Sequence, residues 1–364
     1  VTYMLAPERT LNPKYERHSV EEVYRYIKAD IVAGLPLIED RIYGNTPKYH
    51  MNRAAAHAFA ARVALYTEDW SEAVRYADLA IGTSATPSLR NNAAIAAASV
   101  DLETASIAFA SSGSKSNLFM ATAASNMGLY FGGYYIGSRF SHGGVINATE
   151  TWFANAPWGK KGSSLDYMPR LYRYAATNLD KSLAARASFM FEMTDPVAQI
   201  GYRRTIYVPF NVEETLLVRA EANIHLKKYD EAFADMHIWE KNNIAFLPAD
   251  FSIARINTWA DATEYHTPTI PTAKKKLNPT FTVEAGTQEN MLHALLLMRR
   301  LETIHLGLRW FDVKRYGIEV TRRVIASGQV GSVEEATKLV PRDKRHALQL
   351  PKDVIAAGLA PNRQ

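Results

Sequence analysis

The chain has 364 residues, 47% hydrophobic and 22% charged, enough to bury a substantial core in one large domain or two small ones. Its net charge of +5 is spread along the chain rather than gathered in a stripe, which argues against a nucleic-acid binder, and no apolar run is long enough to span a bilayer. The lack of cysteine excludes disulfides, thiolate metal sites and cysteine nucleophiles.

Val1 to Asn12 reads as mid-domain loop, so a natural N-terminus with any targeting signal or anchor is expected upstream. Ser19-Val-Glu-Glu22 is a capping box, and Val20, Val23, Tyr24, Ile27 and Ile31 follow at helical spacing, predicting an amphipathic helix to about Ile38. Ser332-Val-Glu-Glu335 carries the same device, and Asn211-Val-Glu-Glu214 a close variant. Asn52–Tyr66 predicts a helix with a small-residue face, Thr67-Glu68-Asp69 a turn, and Trp70–Ile81 a second helix ended by Gly82. Residues 212–240 repeat that pattern. "DWSEAVRYA" (69–77) and "KYDEAFADM" (228–236) share aromatic, polar, Glu and Ala in order, the mark of a tetratricopeptide-type helix pair, with Trp70 and Tyr229 as the locking aromatics.

Between the pairs the composition changes. From Tyr130 to Tyr174 about a quarter of the residues are aromatic, against 11% for the chain. A second irregular stretch, Pro248–Asn290, holds four prolines, and the chain's one tight basic run, Lys274-Lys275-Lys276, lies in it. Met291–Met298 reads as a buried helix despite His293. The stretch "LGLRWFDVKRYG" (306–317) threads charges among Trp310, Phe311 and Tyr316. It reads as a structural joint: Trp310 and Phe311 are expected to bury apolar area, Arg309 and Asp312 to pair at i, i+3, and Gly317 to end a helix.

"RRLETIHLGLRWFDVKRYG" (299–317) resembles the C-terminal signature of the SusD/RagB family of Bacteroidetes surface lipoproteins. "YIKADIVAGLPLIED" (26–40), "NRAAAHAFAARVALYTEDWSEAVRYADLAI" (52–81), "EETLLVRAEANIHLKKYDEAFADM" (213–236) and "LQLPKDVIAAGLAPN" (348–362) resemble further family segments in the expected order. The chain departs from the signature at Leu306, where the family usually has Glu, and at His305, where Phe or Leu is common. The resemblance implies a mainly α-helical fold of one domain. Four tetratricopeptide-like pairs, in helical repeats at about 15–84, 208–245 and 288–340, would carry loop-rich insertions at about 85–207 and 246–290. It implies non-catalytic capture of an oligosaccharide or polysaccharide at the outer-membrane surface. The captured ligand passes to a SusC-like TonB-dependent transporter, and an N-terminal lipid anchor provides the membrane attachment.

No catalytic motif is present: no H-E-x-x-H, no Walker loop, no G-x-S-x-G and no G-x-G-x-x-G. No cofactor or metal is expected, and no D-x-D-x-D-G calcium loop is found. His142 and His305 read as packing or surface residues. Sugars present flat C–H faces, which aromatic rings cover while polar groups read hydroxyls. The candidate ligand contacts are therefore Tyr134, Tyr135, Arg139, Trp152, Trp158 and Tyr167, on glycine-interrupted segments. The competing reading of each is a core aromatic covering the helices. Three rivals stay open: a peptide ligand in the same fold and place, which the Ser/Asn-rich 111–126 allows; a tetratricopeptide interaction scaffold; and a glycosidase using a carboxylate pair.

Overall fold

The computed structural model describes the chain except residues 1–2, 8, 10–16, 99–100, 132–141, 161–172, 175–180, 246–247, 327–328 and 363–364. Helix α1 (Val20–Gly34) starts at the Ser19 capping box, with Ser19 and Glu22 exchanging both hydrogen bonds. It ends four residues before Ile38, because Leu35-Pro36-Leu37 tightens into a 3-10 turn. Asn52 caps α2 (Arg53–Tyr66), and α3 (Trp70–Ile81) stops at Gly82, whose φ of +73° suits glycine.

The second hairpin repeats the first down to its turn. Asn211 caps α8 (Val212–His225), and α9 (Tyr229–Asn243) follows. Glu68 and Lys227 both take positive φ, at 62° and 60°. The next amide in each hairpin reaches back five residues, Asp69 to Ala64 O and Lys228 to Asn223 O, both at 2.9 Å. The repeat read from "DWSEA" and "KYDEA" is thus a repeat of backbone as well as of side chains. Arg219 locks the hairpins together, donating to Asp235 on α9 at 2.7 and 2.8 Å and to Asp78 on α3 at 2.6 Å.

A third pair, α10 (Ile253–Ala262) and α11 (Thr287–Glu302), packs on α8. Residues 263–286 between them are irregular, yet they are bound into the body rather than free. Lys274 and Lys275 of the basic run are buried: Lys274 donates to Ala260 O at 2.7 Å, and Lys275 to Glu150. Three helix pairs are therefore present among the described residues, and α1 leans singly on α2 where a fourth pair was expected.

The middle region is less irregular than its composition suggests. It begins with α4 (Asn92–Ala98), α5 (Leu102–Phe109), β1 (Asn117–Ala124) and α6 (Met127–Phe131). Then come β2 (His142–Gly143), α7 (Gly144–Glu150), β3 (Arg173–Tyr174) and β4 (Lys181–Ala184). It ends with β5 (Met190–Asp195) and β6 (Ile200–Asn211). An antiparallel sheet runs β1-β6-β5, with Ala121 opposite Tyr207 and Met190 opposite Arg204, and β6 leads straight into α8.

Past α12 (Arg309–Arg315) the helical expectation to residue 340 fails. Residues there form the hairpin β7 (Val320–Ala326) and β8 (Gln329–Leu339), before a short α13 (Lys352–Ala356). Ser332-Val-Glu-Glu335 lies within β8 and caps nothing. A capping box is a local signal, and here the β-branched residues Val320, Thr321, Val324, Ile325, Val330 and Val333 and the cross-strand pair Arg322–Glu334 outweigh it.

Candidate binding cleft

The signature segment divides its residues between two environments. One side of α12 is a joint. Asp312, fully buried, lies 3.1 Å from Arg299 of α11, and Arg299 also approaches Glu221 of α8 at 3.6 Å. Arg315 pairs with Glu221, and Tyr316 Oη donates to the same carboxylate at 2.7 Å. The expected Arg309–Asp312 pair is absent among the described ion pairs. Asp312 faces α11, where buried Arg299 needs a counter-charge, whereas Arg309 faces the other way. The expected burial of Phe311 is also corrected: its ring stacks on Tyr66 at 5.3 Å but is 41% exposed. Gly317 at φ +55° brings its backbone against Asn278, leaving no room for a Cβ.

The other side of α12 is a cleft wall. Arg309, Trp310 and Val313 line a cavity of about 850 Å³ together with the turn at residues 303–308. The turn is sharp: His305 and Gly307 both adopt positive φ. Met127 and Phe131 of α6 and Tyr207, Val208 and Pro209 of β6 form the facing wall, and Arg62 and Glu214 close one end. Arg62 is committed there, bonded to Glu214 at 3.1 Å and to Pro209 O at 2.6 Å.

The lining mixes ring faces with buried polar atoms. His305 stacks on Phe131 at 4.3 Å, and both its ring nitrogens are buried without a hydrogen-bond partner among the described residues. Arg309 Nη1 is in the same condition. Burial, with Arg300 beside it, pushes Arg309 down to about 10. His142, also on the lining, bonds Thr151 Oγ1 at 2.6 Å. Beneath lies Glu150, buried at the end of α7. It accepts from Lys275 at 2.6 Å, from Arg300 at 3.0 Å and from Arg323.

The buried imidazoles predict a pH profile. Burial lowers His142 to about 3, and His225, His266, His293 and His305 to about 4. Unfolded, each titrates near 6.5, so between pH 4 and 6.5 the unfolded chain binds more protons and stability rises with pH. Burial raises Glu302 to about 7 and Glu240 to about 9, so above 4.5 the folded chain holds the extra protons and these two act oppositely. Among these seven groups the five imidazoles outweigh the two carboxyls below pH 6.5 and the carboxyls act alone above it, so their combined contribution to melting temperature should peak near pH 6.5. A thermal melt series from pH 4 to 9 that climbs throughout, or is flat, contradicts this assignment.

The two described residues among those proposed from sequence as ligand contacts, Trp152 and Trp158, do not line this cleft. Trp152 and Trp158 are 3% and 2% exposed and belong to the main core, with Trp158 tilted against Trp239 at 6.2 Å. Both indoles take the packing role, because the turn after α7 meets Trp239 of α9 and is bonded to α10 through Asn155 O and Pro157 O. Trp158→Ala should lower unfolding free energy by about 3–5 kcal/mol, read by denaturant melting; a change under about 1 kcal/mol is incompatible with this packing. Tyr134, Tyr135, Arg139 and Tyr167 lie outside the described residues. Arg62, Tyr207 and Phe131 were not singled out from sequence. No motif marks them, and only β6 running back beside α2 brings them together.

The family profile described as "SusD-like_3: Starch-binding associating with outer membrane" matches residues 1–65. No curated protein matches the chain. Among solved structures, a SusD superfamily protein from Bacteroides thetaiotaomicron is similar at TM-score 0.55 and 17% identity, over 100% of this chain and 71% of its own. A candidate sugar-binding protein from Bacteroides vulgatus gives 0.56 and 17%, over 97% and 68%. A SusD-like carbohydrate-binding protein from the same species gives 0.50 and 15%, over 93% and 65%. The chain thus spans about two thirds of the length of these structures. The profile match covers residues 1–65, and along its length the chain has the fold of these SusD-like structures.

Proposed function

We propose that this chain binds carbohydrate without transforming it, in the cleft between the signature turn and β6. The observation that carries the reading is the lining. Sugar rings offer apolar faces and many hydroxyls, and the cleft offers Phe131, Tyr207 and Trp310 beside buried, unpartnered nitrogens on His305 and Arg309. A volume of about 850 Å³ suits an oligosaccharide rather than one sugar unit. The solved carbohydrate-binding protein of the same fold supports the ligand class. Hand-over to a SusC-like TonB-dependent transporter at the outer-membrane surface completes the proposal, in keeping with a family described as associating with the outer membrane. In the full protein, attachment is through an N-terminal lipid anchor. The aromatic-rich segment holding Tyr134, Tyr135, Arg139 and Tyr167 is proposed to contribute further contacts.

The test is calorimetric titration of the chain with neutral and acidic oligosaccharides and with mixed short peptides. Saturable glycan binding is expected, weakened about tenfold or more in Trp310→Ala, a loss worth about 1.4 kcal/mol. Circular dichroism melts show whether that variant stays folded. The bound sugar should be recovered intact after long incubation; its cleavage would return the glycosidase reading. Binding of peptides alone would move the ligand class to peptide.

A further inference from the structure

Among the described residues the charges around the cleft do not balance. Glu150 receives Lys275, Arg300 and Arg323, three cations on one buried carboxylate. Arg309 adds a fourth, sharing with Lys275 and Arg300 the lining of a small void behind the cleft wall. It has no ion pair among the described residues, and its Nη1 and Arg323 Nη1 are buried without hydrogen-bond partners. The nearby acids are already engaged. Asp312 serves Arg299 and Arg315, which also share Glu221, so that group closes on itself. Glu214 at the far end of the cleft is held by Arg62.

A buried cation without a counter-ion is held against a large desolvation cost. Arg300 and Arg309 both line the cleft, so an acidic group entering it meets a surplus of positive charge already in place. Guanidinium forks match planar carboxylates and sulfates. Building on the carbohydrate reading, we infer that the cleft selects an anionic oligosaccharide, one bearing a uronate carboxylate or a sulfate ester, with that group seated at Arg300 and Arg309.

The test compares galacturonate oligomers with neutral galactose oligomers of the same length, and a sulfated with a desulfated chondroitin oligomer, by calorimetry at low and raised salt. In at least one pair the more anionic member should bind about tenfold or more tighter than the less anionic one, with the advantage shrinking as salt rises. Arg309→Gln should remove that advantage, bringing the two members of the pair to similar affinity, and it should melt no lower than the parent because it deletes an uncompensated charge. Preference in the galacturonate pair assigns a carboxylate, and preference in the chondroitin pair alone assigns a sulfate. Equal binding within both pairs, or a preference that survives Arg309→Gln, overturns this inference and leaves the carbohydrate reading standing. If no sugar binds, the carbohydrate reading falls and this inference falls with it.

Discussion

Asp312→Ala is expected to destabilise the chain by about 3–5 kcal/mol, with an altered core rather than an altered surface. Arg299 and Asp312 are fully buried, and 3.1 Å separates them. Removing the carboxylate leaves Arg299 beside Arg315 with Glu221 alone to serve both. Arg299 is fully buried and cannot reach water from that position, so the desolvation already incurred goes uncompensated. Replacing both partners, Arg299→Met with Asp312→Leu, should recover most of the loss, because the apolar pair has no charge to strand. Denaturant titration of the three variants decides the matter. A single-variant loss under about 1 kcal/mol means the network is wet and the joint is held by packing alone.

Glu150→Gln should have an effect of similar size for a different reason. The substitution keeps the volume and deletes the carboxylate that Lys275, Arg300 and Arg323 share at the meeting of α7, the 263–286 segment, α11 and β7. Three cations then face a neutral amide, and a loss of about 3–5 kcal/mol is expected. The surrounding cations hold the Glu150 carboxyl well below the usual carboxylate range. A group with a lowered folded pKa stabilises above its unfolded value and loses that contribution only as pH falls through the folded one. Its contribution therefore persists through mild acid, where the buried histidines already destabilise the fold. Glu150→Gln should lower the melting curve by a similar amount from pH 5 to 7, without moving the optimum. A variant that melts like the parent at every pH shows that the cations are neutralised by other means.

Much of the helical scaffold was legible because its signals are local. Ser19, Asn52 and Asn211 each cap the helix that follows, since the cap needs only its own next three residues. The two hairpins were readable from "DWSEA" and "KYDEA" because aromatic and alanine must meet within one turn of chain. The segment past α12 was not readable in the same way. Ser332-Val-Glu-Glu335 satisfies a local rule and still lies in a strand, because its partner strand supplies pairs that no local window contains.

By itself the sequence determined the helix starts, the repeat of the two hairpins, the buried nature of 291–298 and the family resemblance, all set by neighbours a few residues apart. Only the tertiary structure decided which side of "LGLRWFDVKRYG" is joint and which is cleft. It also decided that Trp152 and Trp158 fill the core, and that Lys275 of an apparent basic loop is buried on Glu150. Each of those outcomes depends on groups more than sixty residues apart in the chain or on a helix face turned by packing: Glu221 and Arg315, Trp158 and Trp239, Lys275 and Glu150. Burial fixes a residue's role through the charge and rings that meet it, and those partners are chosen by the fold rather than by chain neighbours.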